Sequence, residues 1–232
     1  MSMYRALQSR LPRALRRYVL HFEAQVERAV GAFAESVPAG GRVLDAGAGE
    51  ARHARFFAGS RYIAVDTAAG DPAWDYSRLD AVADLAALPF RPESFDACLN
   101  VVTLEHLREP LRALEEMRRA LKPGGRLLLA APQEWEVHQA PHDYFRYTGY
   151  GLRYLLEQAG FVQIEIRPVG GYFRLIARRL LNGLQFFPGI WFLAALVCLA
   201  PLALVLPLLD GLDRQRAHTL GYVCTAQKAR RP

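Results

Sequence analysis

Short apolar segments alternate with amphipathic segments along most of the chain, and this alternation constrains the fold more than any other feature. Seven segments are short, apolar and bounded by turn residues, as strands are. They are Arg42–Asp45, Arg61–Val65, Leu79–Ala83, Phe95–Val101, Arg126–Ala131, Phe161–Val169 and Leu220–Gln227. Helical spacing of apolar residues lies between several of them, as at Pro110–Leu121. Because strands that alternate with helices form βαβ units, the sequence predicts an α/β fold with a doubly wound, mostly parallel sheet.

The first predicted strand runs into the turn Asp45-Ala46-Gly47-Ala48-Gly49-Glu50. Glycines directly after a strand allow a ligand to approach the backbone closely. Dinucleotide-binding turns need a third glycine three residues later, where this chain has Arg52. Asp45 and Glu50 would repel a pyrophosphate but attract a cation. The turn therefore argues against a nicotinamide-dependent oxidoreductase and favours a positively charged cofactor. A tight turn that binds no ligand is the structural alternative.

Acidic residues also follow the next two predicted strands. Asp66 ends the second strand, where a carboxylate can accept hydrogen bonds from both hydroxyls of a ribose. Asp84 follows the third strand, where an acid can accept a hydrogen bond from an adenine amino group; a loop-capping role is its alternative. Because the carboxyl ends of parallel strands meet at one edge of a sheet, acids after three successive strands indicate a nucleoside site.

Five segments in chain order carry a resemblance to a known family. They are VLDAGAGE, YIAVD, ADLAALPFRPESFD, NVVTLEHLREP and LKPGGRLLL. In this order they resemble the successive motifs of class I S-adenosylmethionine-dependent methyltransferases, over residues 40–170 and again at 220–227. The resemblance implies a Rossmann-like sheet of seven strands with an antiparallel last strand, and S-adenosylmethionine as the cofactor.

The same resemblance implies a set of cofactor-binding residues. They are Asp45, Gly47, Gly49, Asp66, Asp84, Leu85 and Asn100. Within this set Asp66 is expected to hold the ribose and Asn100 to line the methionine side. His106 is expected near the cofactor pocket, in a hydrogen bond at a helix start. Ala51 stands where many members have a third glycine, and we expect the tighter turn to bind the cofactor all the same.

The segment PQEWEVHQAPHDYFRYT follows the fifth predicted strand and is similar to a subgroup of the family with His-Asp-Tyr-x-Arg-Tyr-Thr. It lies where the acceptor should bind. His142 is the candidate base for an acceptor hydroxyl, with Asp143 orienting it. The candidate acceptor-binding residues are Trp135, His138, Tyr144 and Arg146. The alternative is a structural network that pins the loop. His138 and His142 have no third ligand nearby in the sequence, so no metal site is expected.

Ile190–Leu209 is almost wholly apolar and carries no charged side chain. About 20 such residues can span a bilayer as a helix, but Pro188, Pro201 and Pro207 interrupt the run. By the resemblance the run lies between the sixth and seventh strands, which one crossing would place on opposite sides of a membrane. We therefore expect a re-entrant hairpin broken near Gly189 and Pro201, or a segment that lies in the interface. A dimer interface or a hydrophobic cap is the alternative.

The net charge of +6 is concentrated at the two ends of the chain, while the middle is mildly acidic. Because the basic ends flank the apolar run, this charge favours an anionic membrane surface over a nucleic acid. Solvated helix faces are the alternative interpretation. Cys98, Cys198 and Cys224 are far apart in the sequence, which argues against a disulfide framework and a cysteine-based zinc site.

Four segments are expected: an amphipathic helical segment over 1–36, the methyltransferase core over 37–171, a hydrophobic helical insert over 172–213 and a last strand with a basic tail over 214–232. The expected function is methyl transfer, at oxygen, to a lipid-linked, glycan-type or other hydrophobic acceptor. The expected location is the cytoplasmic side of the membrane, peripheral or re-entrant, with homodimerisation as an option. The alternative is a catalytically silent methyltransferase-like scaffold or binding module.

Overall fold

Seven strands form one mixed sheet in the computed structural model, which describes residues 11–230. The strands are β1 Arg42–Ala46, β2 Arg61–Asp66, β3 Ala81–Val82, β4 Phe95–Val101, β5 Leu121–Pro132, β6 Phe161–Val169 and β7 Gly221–Lys228. Their order across the sheet is β3-β2-β1-β4-β5-β7-β6. Strands β1 to β5 pair in parallel with their neighbours, and β7 is antiparallel to β5. The predicted sheet and its antiparallel last strand are confirmed.

Six α-helices accompany the sheet in the described part of the chain. They are α1 Arg13–Val19, α2 His21–Glu35, α3 Pro110–Ala120, α4 Gly149–Gln158, α5 Tyr172–Gly183 and α6 Ile190–Val205. The amphipathic helical segment predicted over 1–36 contains two helices in its described part, α1 and α2, with Leu20 between them. The first ten residues of the predicted N-terminal segment and the last two of the basic tail lie outside the described residues.

The local signals in the sequence explain where the core helices begin and end. Pro110 occupies the first turn of α3, where its missing N–H costs nothing. Thr148 caps α4, accepting a hydrogen bond from the Gly151 N–H at 3.1 Å. Gly160 follows α4 with a φ of +81°, which suits a glycine at a helix end. Buried faces of both helices cover the central strands β1, β4 and β5, whose side chains form the main core.

One predicted strand needed correction, and two further local features accompany the sheet. The third strand is shorter than Leu79–Ala83, because only Ala81–Val82 pairs with β2. A short 3₁₀ helix, Arg52–Phe56, follows the glycine turn. Residues 122–125 of β5 form an irregularity in the pairing with β4. Phe95 pairs with Leu121 and Ala97 pairs with Arg126, so the register shifts at this point.

The described residues form two compact units. One combines the chain up to residue 25 with residues 168–220, and the other combines residues 26–167 with the chain from 221 onward. The predicted insert therefore shares a unit with the part of the N-terminal segment that ends at residue 25, and the second unit contains most of the sheet. The predicted division into four segments stays a prediction.

The apolar run forms one helix rather than a hairpin. Helix α6 begins after Gly189, which has a φ of +54°, and continues through Pro201 to Val205. A 3₁₀ helix, Leu206–Leu212, follows directly. The expected break at Gly189 is confirmed and the one at Pro201 is wrong, since a proline one turn or more inside a helix can be accommodated by bending.

Candidate functional site

A cavity of about 530 Å³ opens at the carboxyl ends of the parallel strands. Its wall is built from the loops that follow β1, β2, β3 and β4 and from the loop before α4. The predicted residues in this wall are Gly47, Gly49, Asp66, Asp84, Leu85, His142 and Tyr144. Ligands in open α/β sheets bind at this edge, and a cavity of this volume accommodates a nucleoside-sized molecule.

The floor of the cavity is the turn after β1. Gly47 has a φ of +91°, and its N–H donates to the Val65 carbonyl oxygen at 2.8 Å. A Cβ atom added at Gly47 would lie 2.7 Å from the Cβ of Thr103 and closer still to the rest of that side chain. Gly49 faces the Trp74 ring, 3.0 Å from where its own Cβ would be. Both positions therefore require glycine, and the turn presents bare backbone to a ligand.

Asp66 ends β2 and lines the cavity with a fixed orientation. One carboxylate oxygen accepts a hydrogen bond from the Gly49 N–H and the other from the Ala68 N–H, each at 2.9 Å. A carboxylate has about four acceptor positions, so two stay available to a ligand. Two acceptor positions held in place beside a glycine turn match the two hydroxyls of a ribose.

Asp84 and Leu85 form the next part of the wall. Asp84 is exposed, and its Oδ1 accepts a hydrogen bond from the Ala86 N–H at 2.9 Å, so the loop-capping role holds. Leu85 is only 1% exposed and offers an apolar surface. Since both residues also line the cavity, the pair can pack against a flat base and accept a hydrogen bond from it.

Two predicted cofactor-binding residues, Asp45 and Asn100, do not lie in the cavity wall, and their part in cofactor binding stays a prediction. Both are fully buried inside strands rather than placed after them. The Tyr62 hydroxyl donates to Asp45, and burial together with this carboxylate raises the pKa of Tyr62. The Asn100 amide donates to the Ala46 carbonyl oxygen at 2.8 Å, which ties β4 to β1. These two side chains support the glycine turn from below.

Asp143 does not orient His142, so that part of the predicted base is wrong. The Arg146 guanidinium donates to both Asp143 oxygens, at 2.6 and 2.8 Å, and lowers the pKa of Asp143 to about 2. Asp143 also accepts a hydrogen bond from the His138 backbone N–H at 2.8 Å. Arg146 in turn donates to the Trp135 carbonyl oxygen at 3.1 Å. Asp143 and Arg146 are therefore a clamp within the loop, as the structural alternative for this segment proposed.

His142 and Tyr144 do line the cavity and contact each other. The Tyr144 hydroxyl lies 3.1 Å from His142 Nδ1, and it accepts a hydrogen bond from Arg108 Nε at 2.9 Å. Trp135 and His138, predicted to contact the acceptor, lie outside the wall. His138 instead contacts His106, whose Nε2 is 3.1 Å from its own. Burial lowers the pKa of His138, but Glu105 and the Glu136 carbonyl outweigh it and raise the pKa above its usual value.

Several cavity residues were missed by sequence reasoning. They include Trp74, Thr103, His53 and Gln139. Trp74 lies in a loop rich in glycine, proline and aspartate, and an aromatic residue in such a loop was a usable signal. Thr103 gave no signal, because its role depends on its hydroxyl reaching the Gly47 carbonyl oxygen at 3.2 Å across the sheet edge.

Comparisons with known proteins agree with this geometry. The family model described as a methyltransferase domain matches residues 44–129. A tRNA (carboxymethyluridine(34)-5-O)-methyltransferase of Arabidopsis thaliana is 32% identical over 139 residues, which are 56% of this chain and 33% of the relative. A demethylmenaquinone methyltransferase of Renibacterium salmoninarum is 41% identical over 97 residues, 39% of this chain and 41% of the relative. The chain thus spans less than half the length of these two relatives.

A solved structure shows the same fold over almost the whole chain. The 1,6-didemethyltoxoflavin-N1-methyltransferase of Burkholderia thailandensis superposes with a TM-score of 0.55 at 20% identity, covering 96% of this chain and 87% of that one. The segment matched by the family model includes the glycine turn, Asp66, Asp84 and Leu85. Residues 44–129 therefore form a methyltransferase domain, in a chain that shares its fold with a methyltransferase of known structure.

Proposed function

We propose that the protein is an enzyme that transfers a methyl group from S-adenosylmethionine to an oxygen of a hydrophobic or lipid-linked acceptor, at the cytoplasmic surface of a membrane. The observation that carries the cofactor part is Asp66, oriented by two backbone N–H groups in the wall of a cavity floored by Gly47 and Gly49. A non-catalytic scaffold has no need for this arrangement.

When bound, S-adenosylmethionine supplies an electrophilic methyl group on a positively charged sulfur. The chain's own part is to bind, to orient and to keep water out. The wall holds four carboxylates and two guanidinium groups, and this acidic excess favours a cationic ligand. The carboxylates are those of Glu50, Asp66, Asp84 and Glu109, and the guanidinium groups are those of Arg52 and Arg108. Good alignment of the reacting groups can supply roughly 7–11 kcal/mol of the barrier.

An oxygen acceptor also has to lose a proton, and His142 is the residue of the wall that we assign to this step. For Nε2 of His142 to be basic, the Nδ1–H must donate to the Tyr144 oxygen, 3.1 Å away. Tyr144 then takes the orienting role first expected of Asp143. An oxygen acceptor is supported by the Arabidopsis relative, whose name specifies 5-O-methylation.

Replacing His142 with asparagine is expected to lower kcat for an oxygen acceptor by about 10²–10⁴-fold, because general base catalysis supplies that much. Binding of S-adenosylmethionine should change little, since the ribose-binding side chain is Asp66. Single-turnover kinetics and cofactor titration measure the two effects separately. His218→Asn is the control, because His218 is exposed and outside the cavity wall. Normal turnover in the His142 variant would remove His142 from the mechanism.

The membrane part of the proposal is supported by helix α6 and the 3₁₀ helix after it. In the described part of the chain, Ile190–Leu212 is the one helix long and apolar enough to cross a membrane, and 17% of its most apolar stretch is buried. Large apolar side chains stay exposed along it. They are Ile190, Trp191, Leu193, Val197, Leu202, Leu204, Val205, Leu208, Leu209 and Leu212. A continuous exposed apolar face of this kind is typical of membrane or protein contact.

Topology and charge favour a helix that lies in the interface. The insert leaves from β6 and returns to β7, which are neighbours in the sheet, and this connection favours a segment that does not cross the membrane once. Within the same unit, the Tyr18 hydroxyl donates to the Leu204 carbonyl oxygen at 2.7 Å. This contact brings α1, with exposed Arg13, Arg16 and Arg17, against the carboxyl end of α6. Basic residues beside an apolar face match an anionic lipid surface.

We expect the protein to float with vesicles of phosphatidylcholine and phosphatidylglycerol, and to float less with phosphatidylcholine alone or at high salt. Each basic residue near anionic lipid contributes about 1 kcal/mol. Reversing Arg16 and Arg17 to glutamate should therefore weaken binding about tenfold or more. Arg91→Glu and Arg112→Glu, on the sheet-containing unit, provide a control of equal charge. Protein that stays in the soluble fraction as a dimer would instead assign the apolar face to a second copy.

Turnover decides between an enzyme and a silent scaffold. The protein is incubated with methyl-labelled S-adenosylmethionine and either a membrane lipid extract, total tRNA or buffer. Label transferred to the lipid fraction supports the proposal. Transfer to tRNA would replace the acceptor class while retaining the enzyme, and cofactor binding without transfer to any fraction would favour the scaffold.

A further inference from the structure

Three side chains beside the cavity aim their donor atoms at one point. Glu105 and His106 lie in the short turn Leu104–His106 after β4, and His138 comes from the loop between β5 and α4. The Glu105 Oε1 is 3.7 Å from Nε2 of each histidine, and the two Nε2 atoms are 3.1 Å apart. Three ligands of one tetrahedral zinc ion, bound at about 2.0–2.1 Å, lie about 3.3 Å from one another. The spacing of the three atoms therefore suits one metal ion.

The Glu105 carboxylate lies in a buried position that favours a bound cation. Glu105 is 0% exposed, and neither of its carboxylate oxygens has a hydrogen-bond partner. A buried carboxylate without a partner is expensive, so such groups are paired or coordinate a metal. No arginine or lysine among the described residues forms an ion pair with Glu105, whereas two imidazoles face it.

The second nitrogen of each imidazole fixes which atom points at Glu105. His106 Nδ1 lies 2.6 Å from the His142 carbonyl oxygen, and His138 Nδ1 lies 3.1 Å from the Glu136 carbonyl oxygen. A carbonyl can only accept, so both contacts are hydrogen bonds in the tautomer that carries the hydrogen on Nδ1. In that neutral tautomer each Nε2 atom carries a lone pair, and the two Nε2 atoms lie 3.1 Å apart beside the Glu105 carboxylate. An Nδ1–H bound to a backbone carbonyl is the arrangement that orients metal-binding histidines.

The loop that carries His138 is held in place by several contacts. The Glu105 carbonyl oxygen accepts hydrogen bonds from the Tyr144 and Phe145 N–H groups, at 2.9 and 3.2 Å. The Asp143–Arg146 clamp binds the His138 N–H at 2.8 Å. These contacts make His138 part of a preformed cluster and give the clamp a purpose that is independent of catalysis.

We propose that Glu105, His106 and His138 bind a divalent transition-metal ion such as Zn²⁺. Two imidazoles and one carboxylate suit Zn²⁺, Mn²⁺ or Fe²⁺ better than Mg²⁺, which prefers oxygen ligands. Three protein ligands leave a coordination position open. Because His106 also lines the cavity, the ion adjoins the acceptor region. There it would bind an acceptor oxygen and lower its pKa. This consequence rests on the proposed function, whereas metal binding does not.

The test is metal binding by the full-length, tag-free protein after treatment with a chelator. Calorimetric titration with ZnCl₂, and with CoCl₂ followed by its visible ligand-field absorption, should show one equivalent bound. Zinc should also raise the melting temperature. His138→Ala should weaken binding at least about 100-fold. His218→Asn, an exposed histidine outside the cluster, should bind as the unmodified protein does.

Glu105→Gln keeps the test decisive if His138→Ala does not fold. It preserves the shape of the side chain and removes a buried charge, so the metal-free variant should melt no lower than the unmodified protein. It should nevertheless lose the zinc-induced rise in melting temperature. The proposal would be overturned if the unmodified protein bound no metal, or if the Glu105 and His138 variants bound zinc as tightly as the unmodified protein does. Either result would leave a proton shared among the three side chains. Failure of methyl transfer with metal binding intact would count only against the proposed function.

Discussion

Replacing Asp66 with asparagine is expected to weaken the binding of S-adenosylmethionine by about 100-fold or more. Hydrogen bonds to a charged group contribute roughly 1.5–3 kcal/mol each, and the two free acceptor positions of Asp66 are assigned to the ribose hydroxyls. The amide also turns an N–H₂ group toward one of the two backbone donors, Gly49 N–H or Ala68 N–H, that now hold the carboxylate. Equilibrium dialysis with labelled cofactor measures the affinity directly.

Asp71→Asn is the matched control for this substitution. Asp71 lies in the same loop and its carboxylate accepts a hydrogen bond from the Ala73 N–H at 2.9 Å, but it is outside the cavity wall. Its variant should bind the cofactor with the affinity of the unmodified protein. If the Asp66→Asn variant bound S-adenosylmethionine within about threefold of the affinity of the Asp71→Asn variant, Asp66 would not be the ribose-binding residue.

Replacing Gly47 with alanine is expected to abolish detectable cofactor binding and to destabilise the fold by roughly 2–6 kcal/mol. The backbone at a φ of +91° is unfavourable for alanine, at about 1–3 kcal/mol. The new methyl group would also overlap Thr103, and overpacking costs about 1–3 kcal/mol more. Chemical denaturation measures the loss of stability, and dialysis measures the loss of binding at a temperature where the variant is folded.

Gly59→Ala separates a local effect from the general cost of a methyl group. A Cβ at Gly59 meets no atom within 4 Å, and Gly59 has no positive φ. The free energy of unfolding of this variant should lie within about 0.5 kcal/mol of that of the unmodified protein, and the variant should bind the cofactor normally. If the Gly47→Ala variant matched the Gly59→Ala variant in both stability and cofactor affinity, the cofactor would not closely approach the backbone of the turn after β1.

Much of the fold could be predicted because its signals are local. β4 and β6 run over Phe95–Val101 and Phe161–Val169, as their apolar and β-branched composition predicts. The elements that differ depend on tertiary contacts. β3 is short because only two residues pair with β2, and α6 continues through Pro201 even though a proline usually ends a helix.

The candidate site was predictable in part from the positions at which strands end. Asp66 ends β2 and Asp84 follows β3, and both reach the cavity, whereas Asp45 and Asn100 lie within strands and are buried beneath it. The sequence also pairs His138 with His142, four residues away. In the structure His138 instead contacts His106, 32 residues away, because the loop folds back onto the turn after β4. Long-range contacts of this kind leave no periodic signal.

The central claim is that the cavity at the strand ends binds S-adenosylmethionine. Calorimetric titration of the full-length protein with S-adenosylhomocysteine, the demethylated product, tests it without any acceptor. We predict one binding site per chain with measurable heat, and loss of that heat in the Asp66→Asn variant. An absence of heat with the folded, unmodified protein, or unchanged heat with the variant, would contradict the claim.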